Sequence, residues 1–152
     1  MAVRPLTRSA HSLASTTPIP LTKPFTPNTL QAIRNLLKNN IHSDGAVLSP
    51  QADKKTRNAA VLIPFCNVDN EPGLLLEVRA KTLRSHSGEI SFPGGRVDET
   101  DSTLVNAALR ETQEELGIDP RRVEILGRIG PPEFNLAGNM MVYPFVVSPV
   151  ET

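Results

Sequence analysis

With 152 residues, 39% of them hydrophobic and 21% charged, the chain is long enough for one domain with a buried core and too short for two of ordinary size. Sixteen Lys+Arg balance sixteen Asp+Glu, so no net field draws the molecule to nucleic acid or to a membrane surface. No apolar run approaches the roughly 20 residues of a membrane-spanning helix, and the single cysteine, Cys66, excludes an internal disulfide and a thiolate zinc cluster.

The balance of charge does not hold along the chain. Arg4, Arg8, Lys23, Arg34 and Lys38 all precede the first acidic residue, Asp44. Residues 1–25 are therefore a basic, Ser/Thr/Pro-rich leader, the composition of an organellar transit peptide, and mitochondrial targeting is expected from it. The alternatives are a disordered tail that merely lacks acids, and a cytoplasmic or peroxisomal protein.

Residues 26–55 are expected to form a helix and a loop. In "TPNTLQAIRNLLKNN", Thr26 can cap the helix and Pro27 suits its first turn. Leu30, Ile33 and Leu37 share one face, and Asn39-Asn40 end it. The main domain is predicted over 56–152. "NAAVLIPF" is an apolar strand, "VDNEPG" a turn and "LLLEVRA" a returning strand. "SGEISFPGG" reads as a short strand ending in a glycine turn. A helix runs from about Ser102 to Leu116, capped by Asp101 or Ser102 and stopped by Gly117. "RRVEILGRIG" and "MMVYPFVVSPV" supply two more strands around the loop "GPPEFNLAGN". This order predicts an α+β (α/β) fold, a mixed β-sheet sandwiched between helices.

The central helix carries an unusual charge pattern. Val105, Leu109, Thr112 and Leu116 form its predicted core stripe, while Glu111, Glu114 and Glu115 fall within five residues. Like charges at this spacing cost a few tenths of a kcal/mol per pair, and the macrodipole disfavours anions in the last turn. A divalent cation reverses both penalties, since Mg²⁺ and Mn²⁺ take oxygen ligands and Mg²⁺ is commonly shared between carboxylates and substrate phosphates. The plain alternative is a solvated acidic face with Arg110 and Glu114 as an i, i+4 ion pair. Gly94 and Gly95, ahead of the helix, allow close backbone approach to a ligand, and Asp98, Glu99 and Asp101 add carboxylates in the loop.

Together these residues resemble the signature of the Nudix hydrolases: Gly, five residues, Glu, seven residues, Arg-Glu, a hydrophobic residue, any residue, Glu-Glu, any residue, Gly, hydrophobic. It aligns here as Gly95, Asp101 and "RETQEELGI" from Arg110 to Ile118. Asp101 replaces the first Glu, the next gap is eight residues, and Thr112 fills the hydrophobic slot. Upstream, "LLEVRAKTLRSHSGEISFPGG" is similar to the added pattern of the coenzyme A diphosphatase branch, matching at Leu75, Leu76, Arg79, Ala80, Arg84, Gly88 and Phe92 to Gly95. Glu77 stands where that pattern has Thr.

The resemblance implies a Nudix-type fold and metal-dependent hydrolysis of coenzyme A or acyl-CoA to 3′,5′-ADP and 4′-phosphopantetheine. It implies Mg²⁺ or Mn²⁺ on Glu111, Glu114, Glu115 and the Gly95 carbonyl, with Arg110 orienting the glutamates and one carboxylate as general base. Arg79 and Arg84, with Gly94 and Gly95, are the expected substrate contacts, because guanidinium groups pair with phosphate oxygens. His86 is a further candidate contact, and Glu133, beyond the signature, a candidate base. The expected partner is a small molecule, coenzyme A or a derivative, with neither nucleic acid nor membrane. Alternatives are another dinucleotide substrate, such as NADH or ADP-ribose, or a non-catalytic binding module. The last has a motive, since domains of this family usually continue through further strands and a second helix, and this chain stops at Thr152; the domain is expected to be C-terminally incomplete.

Overall fold

A computed structural model describes residues 22–38, 57–78 and 88–148. The acid-free leader lies almost wholly outside them, as do Asn39-Asn40, Arg79, Arg84 and His86. Helix α1 (Pro27–Leu37) begins at Thr26, whose hydroxyl accepts the Thr29 N–H, and Leu30, Ile33 and Leu37 form its half-buried face as expected. The framework of the sheet is β1 (Arg57–Val68) and β8 (Met140–Val147), which run parallel with Ala60 opposite Tyr143 and Leu62 opposite Phe145. Strands β2 (Glu71–Leu74) and β5 (Gly94–Arg96) pair antiparallel with β1, while β6 (Ile125–Arg128) and β7 (Glu133–Phe134) pair antiparallel with β8. The sheet is therefore mixed. A separate ribbon joins β3 (Glu77–Val78) to β4 (Ile90–Ser91).

Helix α2 (Leu104–Leu116) packs its buried side, Leu104, Ala107, Ala108 and Thr112, onto β1 and β5. The core there comprises Ala60, Leu62, Leu104, Ala108, Phe145 and Val147, each large aliphatic side chain adding about 1.5–3 kcal/mol on burial. Strand alternation sends Phe65 off the opposite face from Leu62, and Phe25, just before α1, stacks on it with ring centroids 4.4 Å apart. Phe25 is also tied by its backbone to the Asn67 side chain, and α1 is tied to the rest by the Arg34–Glu124 ion pair.

Several boundaries differ from the sequence reading, each for a local reason. "VDNEPG" is not all turn: Asp69 and Asn70, with φ of 50° and 65°, close the hairpin by themselves, so pairing resumes at Glu71. "LLLEVRA" is not one strand. Leu75 still donates to the Pro64 carbonyl, but Pro64 has no N–H to return the bond, and the ladder stops. The chain then starts a new pairing at Glu77, opposite Ser91.

Gly94 and Gly95 are not a free turn but the start of β5, opposite Val61 and Ala60. Helix α2 is capped neither by Asp101 nor by Ser102: Thr103 takes that place and accepts the Asn106 N–H at 3.1 Å. The core stripe is rotated from the one predicted. Leu104, Ala107, Ala108 and Thr112 are buried, whereas Val105, Leu109 and Leu116 are only partly so. Small alanines let the helix sit close to the sheet, which draws that side inward. The Thr112 hydroxyl survives burial by donating to the Ala108 carbonyl at 2.7 Å.

Candidate active site

Strand β5, the loop from Val97 to Thr103 and helix α2 build the site together. Val97 N–H donates to the Asn58 carbonyl and Leu62 N–H to the Pro93 carbonyl, so the main chain on either side of the glycine pair is pinned to β1. Gly94 is required by the backbone itself, and Gly95 by the side chain that lies against it. A Cβ on Gly94, which has φ of 129°, would stand 2.4 Å from the Ala60 carbonyl oxygen, and one on Gly95 would stand 2.7 Å from Glu111 Cδ. Gly95 therefore exposes its backbone directly against the Glu111 carboxylate.

Arg110 organises the acidic end of the loop. Its Nε and Nη2 donate to the two carboxylate oxygens of Asp101 at 3.1 and 3.0 Å, a bidentate fork in which the Asp101 side chain is only 5% exposed. Nη2 also donates to the Arg96 carbonyl, and Nη1 to Glu111 Oε1 at 3.0 Å. Asp101 further receives the Asp98 N–H, which closes the loop as a turn. The Arg110 hydrogen bonds hold the Asp101 carboxyl below the usual carboxylate range, and Asp101 in turn raises Arg110. The shorter residue at 101 and the longer gap thus serve one pairing, across the loop to the helix.

Of the acids on α2, the structure brings Glu111 and Glu115 to one cavity and turns Glu114 away. A space of about 700 Å³ is lined by both of them with Gly94, Gly95, Arg96 and Asp98, and across it by Asn135, Asn139 and Met140. The Glu114 side chain, 60% exposed, lies beside Arg110 Nη1 at 3.4 Å, the i, i+4 ion pair that the spacing allowed. Among the described residues no three His, Cys, Asp or Glu side chains converge closely enough to hold an ion as placed. Glu133 is not at this cavity; it stands on β7 beside a smaller one of about 330 Å³, with Phe134 and Ile129.

Glu115 is exposed as a residue and lines the cavity beside Glu111. Its carboxyl group lies in the surroundings of the Gly94 N–H and of Glu77, a strand residue only 7% exposed. Loss of water around the group, then the Glu77 hydrogen bond and charge, push its pKa up to about 7 against the opposing pull of Gly94. Glu77 itself receives the Ser91 hydroxyl at 2.7 Å.

Sequence reasoning did not single out Glu77, Ser91, Glu89 or Arg96 as functional, although the last three line the cavity. The only signal was Glu77, a charge in a row of leucines and a departure from the upstream pattern. The far wall was also missed. There Asn135 Oδ1 accepts the N–H groups of Asn139 and Met140, both at 3.1 Å, and rigidifies the loop.

A hard divalent cation fits what this site offers: carboxylate oxygens from Glu111 and Glu115, and a backbone that reaches them only because Gly95 has no side chain. Residues 56–152 match the NUDIX domain, and the chain belongs to the Nudix family. A protein of Cronobacter sakazakii called "Uncharacterized Nudix hydrolase NudL" is 47% identical over 107 residues, covering 68% of this chain and 52% of its own. The NudL of Salmonella newport is 46% identical over 118 residues, covering 76% and 57%. The chain thus spans about half the length of the curated relatives it matches.

Among solved structures, the NUDIX domain of Shewanella oneidensis NrtR, crystallised with ADP ribose, superposes with a TM-score of 0.52 at 23% identity, over 68% of this chain and 67% of that one. A Nudix hydrolase from M. smegmatis, RenU, gives 0.50 at 19%, over 62% of each chain. At these identities the likeness is one of fold, the mixed sheet with its two helices.

Proposed function

We propose that the chain hydrolyses a phosphoanhydride in a reaction that depends on Mg²⁺ or Mn²⁺, and that its substrate is coenzyme A or an acyl-CoA. Water is added across the P–O–P bond, and the products are 3′,5′-ADP and 4′-phosphopantetheine or its acyl form. The observation that carries the reaction class is the placing of Glu111 and Glu115 at one cavity, against a backbone bared by Gly95. The substrate rests on the upstream pattern through Arg79 and Arg84, which lie outside the described residues.

The residues divide the work. Glu111 and Glu115, with the Gly95 carbonyl, hold the cation, and Glu114 joins them once its carboxylate leaves Arg110. When bound, the cation supplies neutralisation of pyrophosphate charge and a more acidic water at neutral pH. Arg110, fixed by the Asp101 fork, keeps Glu111 turned toward Gly95. Protons released from water pass to one of these carboxylates, whose titrations are coupled.

The test is hydrolysis by the purified chain with Mg²⁺ or Mn²⁺, comparing coenzyme A, NADH and ADP-ribose as substrates. Release of phosphopantetheine as the fastest reaction supports the reading. Faster cleavage of ADP-ribose or NADH replaces the substrate but keeps the chemistry. Cation binding without cleavage of any of the three favours a binding module.

A further inference from the structure

The far wall of the cavity carries more hydrogen bonds than a connection between strands needs. Residues 135–139 join β7 to β8, and the backbone already closes the hairpin. Asn135 N–H donates to the Met140 carbonyl at 2.9 Å, and Gly138 N–H to the Asn135 carbonyl at 2.8 Å. The Asn135 side chain is added to this. Its Oδ1 accepts the Asn139 and Met140 N–H groups, both at 3.1 Å, and its Nδ2 donates to Asn139 Oδ1, also at 3.1 Å. One carboxamide thus sets the orientation of another. With its Oδ1 engaged, Asn139 keeps Nδ2, a group with two N–H donors, for a ligand.

Both asparagines line the cavity that holds Glu111 and Glu115, as do the carboxylates of Glu89 and Asp98. These acids repel a diphosphate except where a cation intervenes, so its remaining oxygens need donors from elsewhere. A neutral amide meets that need without pairing with the acids, and so without competing with the cation. We propose that Asn139 donates a hydrogen bond to an oxygen of the substrate's diphosphate, and that Asn135 is a positioning residue which turns the Asn139 amide to do so. The inference rests on the phosphoanhydride reading above. A merely structural Asn135, which only closes the turn, needs its Oδ1 and not its Nδ2.

Steady-state kinetics with Mn²⁺ test both roles on the full chain as wild type, Asn139→Ala, Asn135→Asp and the double variant, alongside Mn²⁺ titration and urea unfolding. Asn139→Ala should raise KM about tenfold, the scale of one lost hydrogen bond to a charged group, with kcat within about threefold of wild type. Asn135→Asp keeps an oxygen for both backbone N–H groups, so the unfolding midpoint should hold. It puts an acceptor where Nδ2 donated, which draws the Asn139 amide round, and KM should rise by a similar factor. The double variant should show no further rise, because Asn135 acts only through Asn139. Mn²⁺ affinity without substrate should match wild type in all three variants. The rise should be alike for each of coenzyme A, NADH and ADP-ribose that the wild type cleaves, since the diphosphate is their common part. Wild-type KM in Asn139→Ala, a rise confined to one of several substrates, or altered Mn²⁺ affinity overturns the contact. Wild-type KM in Asn135→Asp, its failure to fold, or a further rise in the double variant overturns the orienting role. No cleavage of any of these substrates by the wild type overturns the reading on which the inference stands.

Discussion

Asp101 and Arg110 face each other across the turn into the helix, joined by two hydrogen bonds of 3.1 and 3.0 Å. This fork fixes the guanidinium that contacts Glu111, so Asp101 sets the placing of one of the two acids at the cavity from outside it. Lysine has the charge but not the fork. Arg110→Lys should therefore keep the fold and lose most of the activity, a combination that circular dichroism and a turnover assay on one preparation would reveal.

The same pair sets part of the acid limb of stability. Asp101 has a lowered pKa in the folded chain, so its contribution is present above the ordinary carboxylate pKa and lost as pH falls through the lower folded value. Asp101→Asn should cost about 2 kcal/mol near neutrality and flatten the fall in stability below about pH 4. Urea unfolding at several pH values measures both.

Glu115 has the opposite sign. Its folded pKa, pushed up to about 7, means that without metal the group favours the fold most at low pH. That contribution fades as pH rises from the ordinary glutamate range to about 7. Cation binding requires the deprotonated form, so Mn²⁺ affinity should drop about tenfold per pH unit below 7. Added Mn²⁺ should raise the unfolding midpoint more at pH 8 than at pH 6.

The two glycines should fail in different ways. Gly94→Ala puts a methyl group 2.4 Å from a backbone oxygen at a φ of 129°, and should destabilise the fold by more than about 2 kcal/mol. Gly95→Ala meets first the Glu111 side chain, which can swing aside. It should fold, with activity reduced at least tenfold, on the scale of other disturbances to a metal ligand. Thermal melts and turnover assays distinguish the two outcomes.

Thr112 offers a control. Its hydroxyl only doubles a bond to a carbonyl already within the helix, so Thr112→Val should stay within about 1 kcal/mol of wild type or gain stability. Activity should be unchanged.

How far the sequence could be read depended on how local each feature was. Helix α1, the apolar β1, the Gly117 stop and the acidic helix were visible because caps, periodicity and a left-handed residue act within a few positions. The separation of Glu115 from Glu114 was only half visible. Helical geometry puts Glu115 about 40° from Glu111 on one side and Glu114 about 60° on the other, but which side meets the sheet depends on the alanines that seat the helix. The role of Asp101 was hidden because its partner stands nine positions on. Glu77 was hidden more deeply, since nothing local reveals that a broken strand re-pairs with Ser91 and buries the acid between.

The central claim is that two acids on α2, backed by the Gly94-Gly95 strand, form a site for a divalent cation. Titrating the folded chain with Mn²⁺ at pH 8 and following free Mn²⁺ by electron paramagnetic resonance tests it most directly. The account predicts saturable uptake by the wild type, abolished in a folded Glu111→Gln, Glu115→Gln double variant whose turnover is down at least about 10²-fold. Identical titration curves for wild type and double variant would contradict it.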